Sequence, residues 1–298
     1  MSILSVQNLK KSYGNIQALK GVSFDIPEGS VFGILGPNGS GKTTFLGIVL
    51  DVLKADSGTY SWFDGMSPKT ARMQLGALLE TPNFYHYLNA DDNLEINAAI
   101  KGHTADDRDR VLKIVGLTER RTSKFSTYSL GMKQRLAIGN ALLGHPRVLV
   151  LDEPTNGLDP AGISEIRTLI RSLAAEGTTV IMASHLLDEV EKVCTHMAIL
   201  KRGDLLVTGS VKEVMRTADE IEVGAENLEQ LQALVAGIPE LKWRKDDNLL
   251  HITVQNGITP TQINAQCAAQ GLSLSHLVLK RKSLEQTFME LTGGESGS

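Results

Sequence analysis

The stretch SVFGILGPNGSGKTTFLGIVLDVL, residues 30–53, decides the fold of this chain. An apolar run that is typical of a buried strand leads into the glycine-rich segment GPNGSGKTT (36–44), and apolar residues at helical spacing follow it. The segment matches the pattern G-x-x-x-x-G-K-[ST] in the strand–loop–helix context that makes this pattern a phosphate-binding loop. A glycine-rich turn with a surface lysine is the alternative, and the full match in this context disfavours it.

The residues of this phosphate loop have complementary roles. Its glycines let successive backbone N–H groups point into one hollow at a helix N-terminus, where the helix dipole also favours anions. Lys42 adds a positive charge for the terminal phosphates, and the hydroxyl of Thr43 is a ligand for Mg²⁺. The predicted nucleotide-binding residues of the loop are Gly36, Pro37, Asn38, Gly39, Ser40, Gly41, Lys42, Thr43 and Thr44.

The composition is that of an ordinary globular protein. The 298 residues are 42% hydrophobic and 21% charged, with a formal net charge of −4, so bulk electrostatics do not favour nucleic-acid binding. Cys194 and Cys267 are far apart, which argues against a disulfide framework or a zinc site and fits a reducing compartment. The start of the chain lacks a signal-peptide pattern, and no apolar run has membrane-spanning length. We expect a cytoplasmic protein that takes part in any membrane process through a partner.

Strand and helix patterns alternate along the first two-thirds of the chain. Residues 3–9 and 18–26 alternate apolar and polar side chains, as half-buried strands do. The later patterns predict strands at 58–63, 75–80, 147–154 and 178–185, a helix at 164–177 and a strand hairpin at 196–209. Residues 92–143 have helical patterns instead, so we predict an inserted helical subdomain at about 85–145.

The pattern changes again near residue 219. Segments that favour strand, helix, strand, strand, helix and strand follow one another, which is the order of a ferredoxin-like α+β unit. A last helix opens with Ser283 and Gln286 at capping-box spacing. We predict domains at 1–217 and 218–292 and a disordered tail at 293–298. Packing on the first domain, dimerisation and regulation remain open roles for the second.

Two acidic residues complete the candidate chemistry. Asp152 ends a buried strand, where its carboxylate can hold Mg²⁺. Glu153 follows it as the candidate general base that orients and polarises an attacking water. Two acids that merely end a strand are the alternative, and the phosphate loop disfavours it.

The motifs of residues 3–215, in their order, resemble those of the ATP-binding subunits of ABC transporters. YSLGMKQR (128–135, the signature segment below) resembles the signature motif, commonly LSGGQ, and VLVLDEP (148–154) resembles Walker B with its catalytic glutamate. NGLD (156–159) resembles the D-loop, and His185 matches the switch histidine, although a histidine that caps a helix start is the alternative. Tyr13 stands where the family often stacks an aromatic on adenine; a plain surface aromatic is the alternative.

This resemblance implies an α/β fold of the P-loop NTPase type, with N-terminal antiparallel strands and a helical subdomain. It also implies that two copies meet head to tail, with ATP between the phosphate loop of one and the signature segment of the other. Ser129 and Gly131 would then contact the γ-phosphate across the interface, and a helix from residue 132 onward would direct its positive end there.

The remaining roles in this implied cycle concern hydrolysis. Glu153 would activate the water, His185 would contact the γ-phosphate, and Asp159 would link the two sites. Hydrolysis would release the dimer.

The chain departs from the family pattern in two places. Leu130 and Met132 replace a glycine and a glutamine of the signature motif, which makes a close backbone approach more crowded and removes an amide. Glu80 stands where the family usually has a glutamine that reaches Mg²⁺, so we expect it to be a metal ligand and to make hydrolysis more dependent on Mg²⁺ or on a partner.

The end of the chain indicates a subtype. SLEQTFMELTG (283–293) resembles the closing segment of ATPase subunits that serve drug and lipid exporters with a separate permease chain. The implied partners are a second ATP-binding subunit, as a homodimer, and an integral membrane permease. The chain would then be peripheral on the inner face of the cell membrane. We expect the coupling surface near 81–100, with Phe84, Tyr85 and Tyr87 as contacts; internal packing of these aromatics is the alternative.

A soluble ABC-type ATPase that acts on ribosomes or DNA is the second hypothesis. It is disfavoured because the chain has one cassette, no visible coiled coil and a slight excess of acidic residues. A nucleotide-dependent switch without transport is a third, and the signature segment disfavours it.

Overall fold

The computed structural model of the chain describes residues 1–79, 83–102, 106–216, 220–238, 241–254, 258–280 and 284–292. The chain divides into two compact units, Met1–Thr208 and Gly209–Ser298. The predicted boundary after residue 217, the predicted tail at 293–298, Glu80 and Ser283 lie outside the described residues.

The elements of the first unit follow the predicted alternation. Its strands are β1 (Ser2–Tyr13), β2 (Ile16–Pro27), β3 (Val31–Leu35), β4 (Ser57–Trp62), β5 (Leu75–Leu78), β6 (Val148–Asp152), β7 (Thr179–Ser184), β8 (His196–Lys201) and β9 (Asp204–Ser210). Its helices are α1 (Lys42–Val49), α2 (Pro68–Arg72), α3 (Ala90–Lys101), α4 (Asp106–Ile114), α5 (Leu130–Ala141), α6 (Pro160–Ala175) and α7 (Leu187–Val193), with short 3-10 helices at Thr118–Arg120 and Phe125–Thr127. The pattern did not predict α2, a single short helix capped by Ser67.

Two sheets organise this unit. β1 lies between β2 and β4 in an antiparallel three-stranded sheet, and a six-stranded sheet has the order β5-β6-β7-β3-β8-β9, with parallel pairs from β5 to β8. Strands β3, β6 and β7 are buried along their whole length, which explains their continuous apolar sequences. The register pairs Leu35 with Ser184 and Asp152 with Ala183, so the residues that follow these three strands emerge at one edge of the sheet.

Helices α3, α4 and α5 occupy the region in which the sequence predicts a helical subdomain. Two predicted helix starts are wrong. Helix α5 begins at Leu130 rather than 132, because Ser129 caps it by accepting a hydrogen bond from the Met132 N–H at 3.2 Å. Helix α6 begins at Pro160 rather than 164, because Asp159 caps it through the Gly162 N–H at 3.0 Å and proline suits the first helical position.

The second unit contains α8 (Val211–Arg216), β10 (Glu220–Ala225), α9 (Leu228–Ala236), β11 (Trp243–Asp246), β12 (Leu249–Thr253), α10 (Pro260–Ala269), β13 (Leu274–Lys280) and α11 (Leu284–Thr292). Its sheet is antiparallel with the order β11-β12-β10-β13, which is the predicted ferredoxin-like arrangement. One face of β10 contributes Ile221 and Val223 to a core with Leu231 of α9 and Ile263 of α10. The other face of the same strand carries Glu222.

Two further findings bear on the sequence-based expectations. No helix among the described residues is long and apolar enough to span a bilayer. Cys194 and Cys267 are free thiols inside the protein, and burial raises the pKa of both.

Candidate functional site

The phosphate loop connects β3 to α1, and its backbone requires glycine at two positions. Gly36 has φ 155°, and a Cβ there would come within 2.2 Å of the Leu200 carbonyl oxygen. Gly41 caps α1 at φ 108°, and a Cβ there would come within 2.4 Å of the Ala18 carbonyl oxygen. Pro37, Asn38 and Gly39 form the exposed crest of the loop, Ser40 is buried, and Lys42, Thr43 and Thr44 form the first turn of α1. All predicted loop residues therefore lie together at the edge of the sheet.

The side chain of Lys42 lies inside the curve of this loop. Its side chain is 6% exposed, and its ammonium donates hydrogen bonds to the carbonyl oxygens of Gly36 at 2.8 Å and Pro37 at 3.3 Å. The same nitrogen lies 3.5 Å from Oε1 of Glu153. The positive charge is thus held inside the curve of the loop, where a phosphate would meet it together with the N-terminus of α1.

Thr43 and Asp152 join the loop to the end of β6. The Thr43 hydroxyl donates to Oδ2 of Asp152 at 2.9 Å, and Asp152 is 3% exposed. A hydroxyl beside a carboxylate is a set of hard oxygen donors that suits Mg²⁺. Within the residues that the structure describes, no three His, Cys, Asp or Glu side chains cluster as a metal site of their own, and the predicted ligand Glu80 lies outside those residues.

Glu153 and His185 meet because β6 and β7 are parallel neighbours. The Glu153 N–H donates to the Ala183 carbonyl at 3.0 Å, and Oε2 of Glu153 lies 2.8 Å from Nδ1 of His185. An ionised carboxylate only accepts hydrogen bonds, so the imidazole is the donor. Glu153 also has φ 48°, a left-handed conformation that is costly for a non-glycine residue and that turns its side chain at the strand end.

The hairpin of β1 and β2 lies against the phosphate loop through the Ala18 carbonyl that faces Gly41. Tyr13, at the end of β1, is 47% exposed, and the Lys11 ammonium lies 5.5 Å from its ring centroid. The aromatic face is therefore held on the hairpin that borders the loop.

The turn between β8 and β9 contacts the phosphate loop through a backbone hydrogen bond. Gly203 donates its N–H to the Ser40 carbonyl at 3.0 Å and accepts from the Lys20 N–H at 2.9 Å. The sequence predicts this turn but not its contact with the phosphate loop, because that contact requires β8 to lie beside β3 in the sheet. Its signal in the sequence is only the Gly203-Asp204 turn.

Ser129, Gly131 and Asp159 form a second group. Ser129 and Asp159 cap α5 and α6, and a Cβ on Gly131 would lie 3.9 Å from Cα of Gly162 in the first turn of α6. Within the described residues, no hydrogen bond or ion pair joins Ser129 or Asp159 to Lys42 or Glu153. One chain therefore presents two separate groups of predicted site residues.

The three aromatic residues predicted at the coupling surface differ in their exposure to solvent. Phe84 is 7% exposed and contacts Phe125 in a tilted arrangement, with ring centroids 5.1 Å apart and an interplanar angle of 57°, so it packs internally. Tyr85 and Tyr87 are 51% and 69% exposed, and their ring centroids lie 5.9 Å apart. These two rings remain available on the surface of the helical block.

Comparison with known proteins agrees with this geometry. The family model "ABC transporter" matches residues 19–156. An uncharacterised ABC transporter ATP-binding protein of Bacillus subtilis, YdbJ, is 38% identical over 97% of this chain and 95% of its own length. The bacitracin transport ATP-binding protein BcrA of Enterococcus faecalis is 34% identical over 98% of this chain and 97% of its own length. The dimeric post-hydrolysis structure of the ATP-binding cassette MJ0796, bound to ADP and phosphate, is 26% identical with a TM-score of 0.62, covering 70% of this chain and 98% of that one.

Proposed function

The chain belongs to the ABC transporter family of ATP-binding proteins, and we propose that it powers export through a separate membrane permease by ATP-driven dimerisation. It is an ATP hydrolase, and the grouping of Lys42, Glu153 and His185 at one sheet edge carries this conclusion. The bacitracin transport relative supports the transport role. The closing helix α11, whose sequence resembles that of exporter subunits, supports the direction.

Within the site, these side chains have complementary tasks. Lys42 binds the terminal phosphates from inside the curve of the loop. Glu153 accepts the proton of the attacking water. His185 would contact the γ-phosphate, and it also holds the Glu153 carboxylate in position through the 2.8 Å hydrogen bond. Glu153 and His185 directly follow the paired strands β6 and β7, so the geometry of this pair is preorganised before substrate binds.

Thr43 and Asp152 are the residues that would hold Mg²⁺, with Glu80 as a further oxygen ligand. The buried carboxylate and the hydroxyl beside it support this assignment. When bound, Mg²⁺ neutralises charge that develops on the phosphates. Glu80, a carboxylate in place of an amide, would add negative charge at this site.

A second copy would complete the site. Its Ser129 and Gly131 would approach the γ-phosphate, its Asp159 would link the two sites, and Tyr13 would stack on adenine. The absence, among the described residues, of a hydrogen bond or ion pair from Ser129 or Asp159 to Lys42 or Glu153 supports this arrangement. The dimeric structure of the related MJ0796 cassette also supports it.

The permease would dock on the helical block at the inner face of the membrane. The exposed Tyr85 and Tyr87 support this position, because aromatic residues are enriched at protein interfaces relative to the rest of the surface. The boundaries 1–217 and 218–292 remain our proposed domains, and we propose no nucleic-acid partner. The relatives do not favour action on ribosomes or DNA.

The test is to purify the tagged chain from membranes of its native host and identify what accompanies it. We expect a polytopic membrane protein, and reduced recovery of that protein with the Tyr85→Ala/Tyr87→Ala double variant. Thr118→Ala, a surface change in the first 3-10 helix, is the control. Recovery with ribosomes or DNA instead would overturn the proposal.

A further inference from the structure

Helices α5 and α6 run side by side in the same direction. Gly131 approaches Gly162, and one turn further along both helices Nε of Arg135 lies 3.3 Å from Oε2 of Glu165. Because both contacts advance together along the two helices, the helix N-termini lie at the same end. The caps of these helices are Ser129 and Asp159, so the signature segment and the NGLD loop (156–159) are neighbours within one chain.

A second contact joins the same two segments. The side chain of Leu130 extends over the NGLD loop, where a Cβ on Gly157 would come within 3.3 Å of its Cδ2 atom. Gly157 has φ 74°, so this loop position already favours glycine. Leu130, which replaces a glycine of the family motif, therefore covers the loop beside a position that has no side chain.

Arg135 is the polar anchor of this pair of helices. Besides the ion pair with Glu165, its Nη1 donates to the Val115 carbonyl at 2.9 Å and the Gly116 carbonyl at 3.3 Å, just after α4. Its side chain is 21% exposed, so water only partly competes for these bonds. A planar guanidinium has separate nitrogens for the Val115 and Gly116 carbonyls and for the Glu165 carboxylate, whereas an ammonium offers a single nitrogen.

Around Arg135 the packing is open. A groove of about 580 Å³ separates Ile114–Gly116 from the face of α6 that carries Ala161, Ser164 and Thr168. Within the described residues, the Arg135–Glu165 pair is the polar link between α5 and α6.

We propose that Arg135 is a positioning residue that holds the signature segment and the NGLD loop of one chain in a fixed mutual orientation. This inference rests on the proposed dimeric function, in which both segments face the second copy. Within the described part of the chain, no hydrogen bond or ion pair joins Arg135 to the phosphate loop, so its loss should affect turnover of the assembled site and not nucleotide binding by one chain. Arg135 holds the Val115 and Gly116 carbonyls by hydrogen bonds and Glu165 by an ion pair in which Nε makes no hydrogen bond to any described residue. Losing these interactions together corresponds to roughly a tenfold change in rate.

The experiment compares kcat, the Kd for a fluorescent ATP analogue and the Tm of purified variants. Arg135→Gln should lower kcat roughly tenfold with an unchanged Kd, and Arg135→Lys should recover about half of that loss on a logarithmic scale. Glu165→Gln should have a smaller effect, and adding it to Arg135→Gln should cause no further loss, because the link is already broken. Arg171→Gln, an α6 arginine that bonds the Lys192 carbonyl instead, should behave as wild type.

The inference would be overturned by a wild-type kcat in Arg135→Gln, by a parallel loss of ATP affinity and Tm, or by fully additive effects in the double variant. Hydrogen exchange provides a readout that does not require hydrolysis. Amides of residues 156–162 should exchange faster in Arg135→Gln than in wild type, and equal exchange would also overturn it. If wild type neither hydrolyses ATP nor dimerises with it while this exchange difference persists, the proposed function has failed and the positioning role has not.

Discussion

The carboxylate of Glu153 accepts a hydrogen bond from the imidazole of His185, with 2.8 Å between Oε2 and Nδ1. The two residues are 32 positions apart in sequence and meet because each directly follows one of two paired parallel strands. The left-handed backbone of Glu153 completes the geometry. The position of the candidate base Glu153 therefore depends on the sheet register and on the hydrogen bond from His185. Substitutions of Glu153 and His185 test these roles.

Replacement Glu153→Gln should abolish turnover, with at least a 100-fold loss or about 2.7 kcal/mol in the barrier, because an amide cannot accept the water proton. ATP binding should persist, since Lys42 and the loop are unchanged. Light scattering should then detect an ATP-dependent dimer. The exposed Glu176→Gln serves as the control, and hydrolysis by Glu153→Gln at the wild-type rate would remove Glu153 from its assigned role.

Replacement His185→Ala should lower kcat by about 10- to 100-fold with a smaller change in KM, because the carboxylate of Glu153 loses the donor that orients it. Steady-state ATPase kinetics measure both parameters. His145→Ala, at the opposite end of β6, should retain wild-type kinetics. An equal loss in both variants would mean that His185 has no specific role.

Replacement Gly36→Ala should weaken nucleotide binding by at least about tenfold, because a Cβ would lie 2.2 Å from the Leu200 carbonyl and 2.5 Å from the Ser40 hydroxyl. Titration with a fluorescent ATP analogue measures the Kd. Gly29→Ala is the matched control, since it also has positive φ, at 70°, but a Cβ there meets nothing within 4 Å. Normal binding by Gly36→Ala would show that the loop tolerates the displacement.

Replacement Glu80→Gln should change the Mg²⁺ concentration that ATP hydrolysis requires, or the stimulation by the membrane partner, because it removes a negative charge from the proposed metal site. ATPase rates across a Mg²⁺ titration, with and without the partner, measure both effects. Identical curves for the variant and the wild type would contradict the proposed role of Glu80.

The second unit should lose stability in acid. The Lys280 ammonium, bonded to Glu222 at 2.5 Å, and the nearby His276 hold the pKa of this carboxyl below its usual range, although burial opposes the shift. The folded pKa is lowered, so this stabilisation is complete above the usual carboxyl pKa of about 4.3 and is lost as pH falls through the folded value.

Calorimetry can measure this contribution. Glu222→Gln should lower the unfolding temperature of the second unit at neutral pH, and the difference from wild type should shrink below about pH 4. The exposed Glu226→Gln should unfold as wild type at both pH values. A difference that stays constant with pH would mean that packing, not charge, explains the effect.

Local patterns predicted most of the fold. The continuous apolar runs of β3, β6 and β7 identify buried parallel strands, and strands of that kind bring the phosphate loop, Glu153 and His185 to one edge. The alternation after residue 219 likewise predicts the ferredoxin-like sheet order, which the strand pairing confirms.

What could not be predicted depends on contacts between segments that are distant in sequence. The support of Ser40 by Gly203 requires the order of the strands, and the link from Arg135 to Glu165 requires the packing of two helices. The early starts of α5 and α6 arise from the caps Ser129 and Asp159, which apolar periodicity does not detect. The left-handed backbone of Glu153 has no signal in composition or spacing.

The burial of both native cysteines has a practical consequence for following this protein at work. With Cys194 and Cys267 inside the protein and their pKa values raised, few thiolates are available to a maleimide near neutral pH. A cysteine introduced at the exposed Tyr87 would therefore take up a dye or nitroxide selectively, without prior removal of the native thiols. The chain is in this sense already a suitable background for single-site labelling.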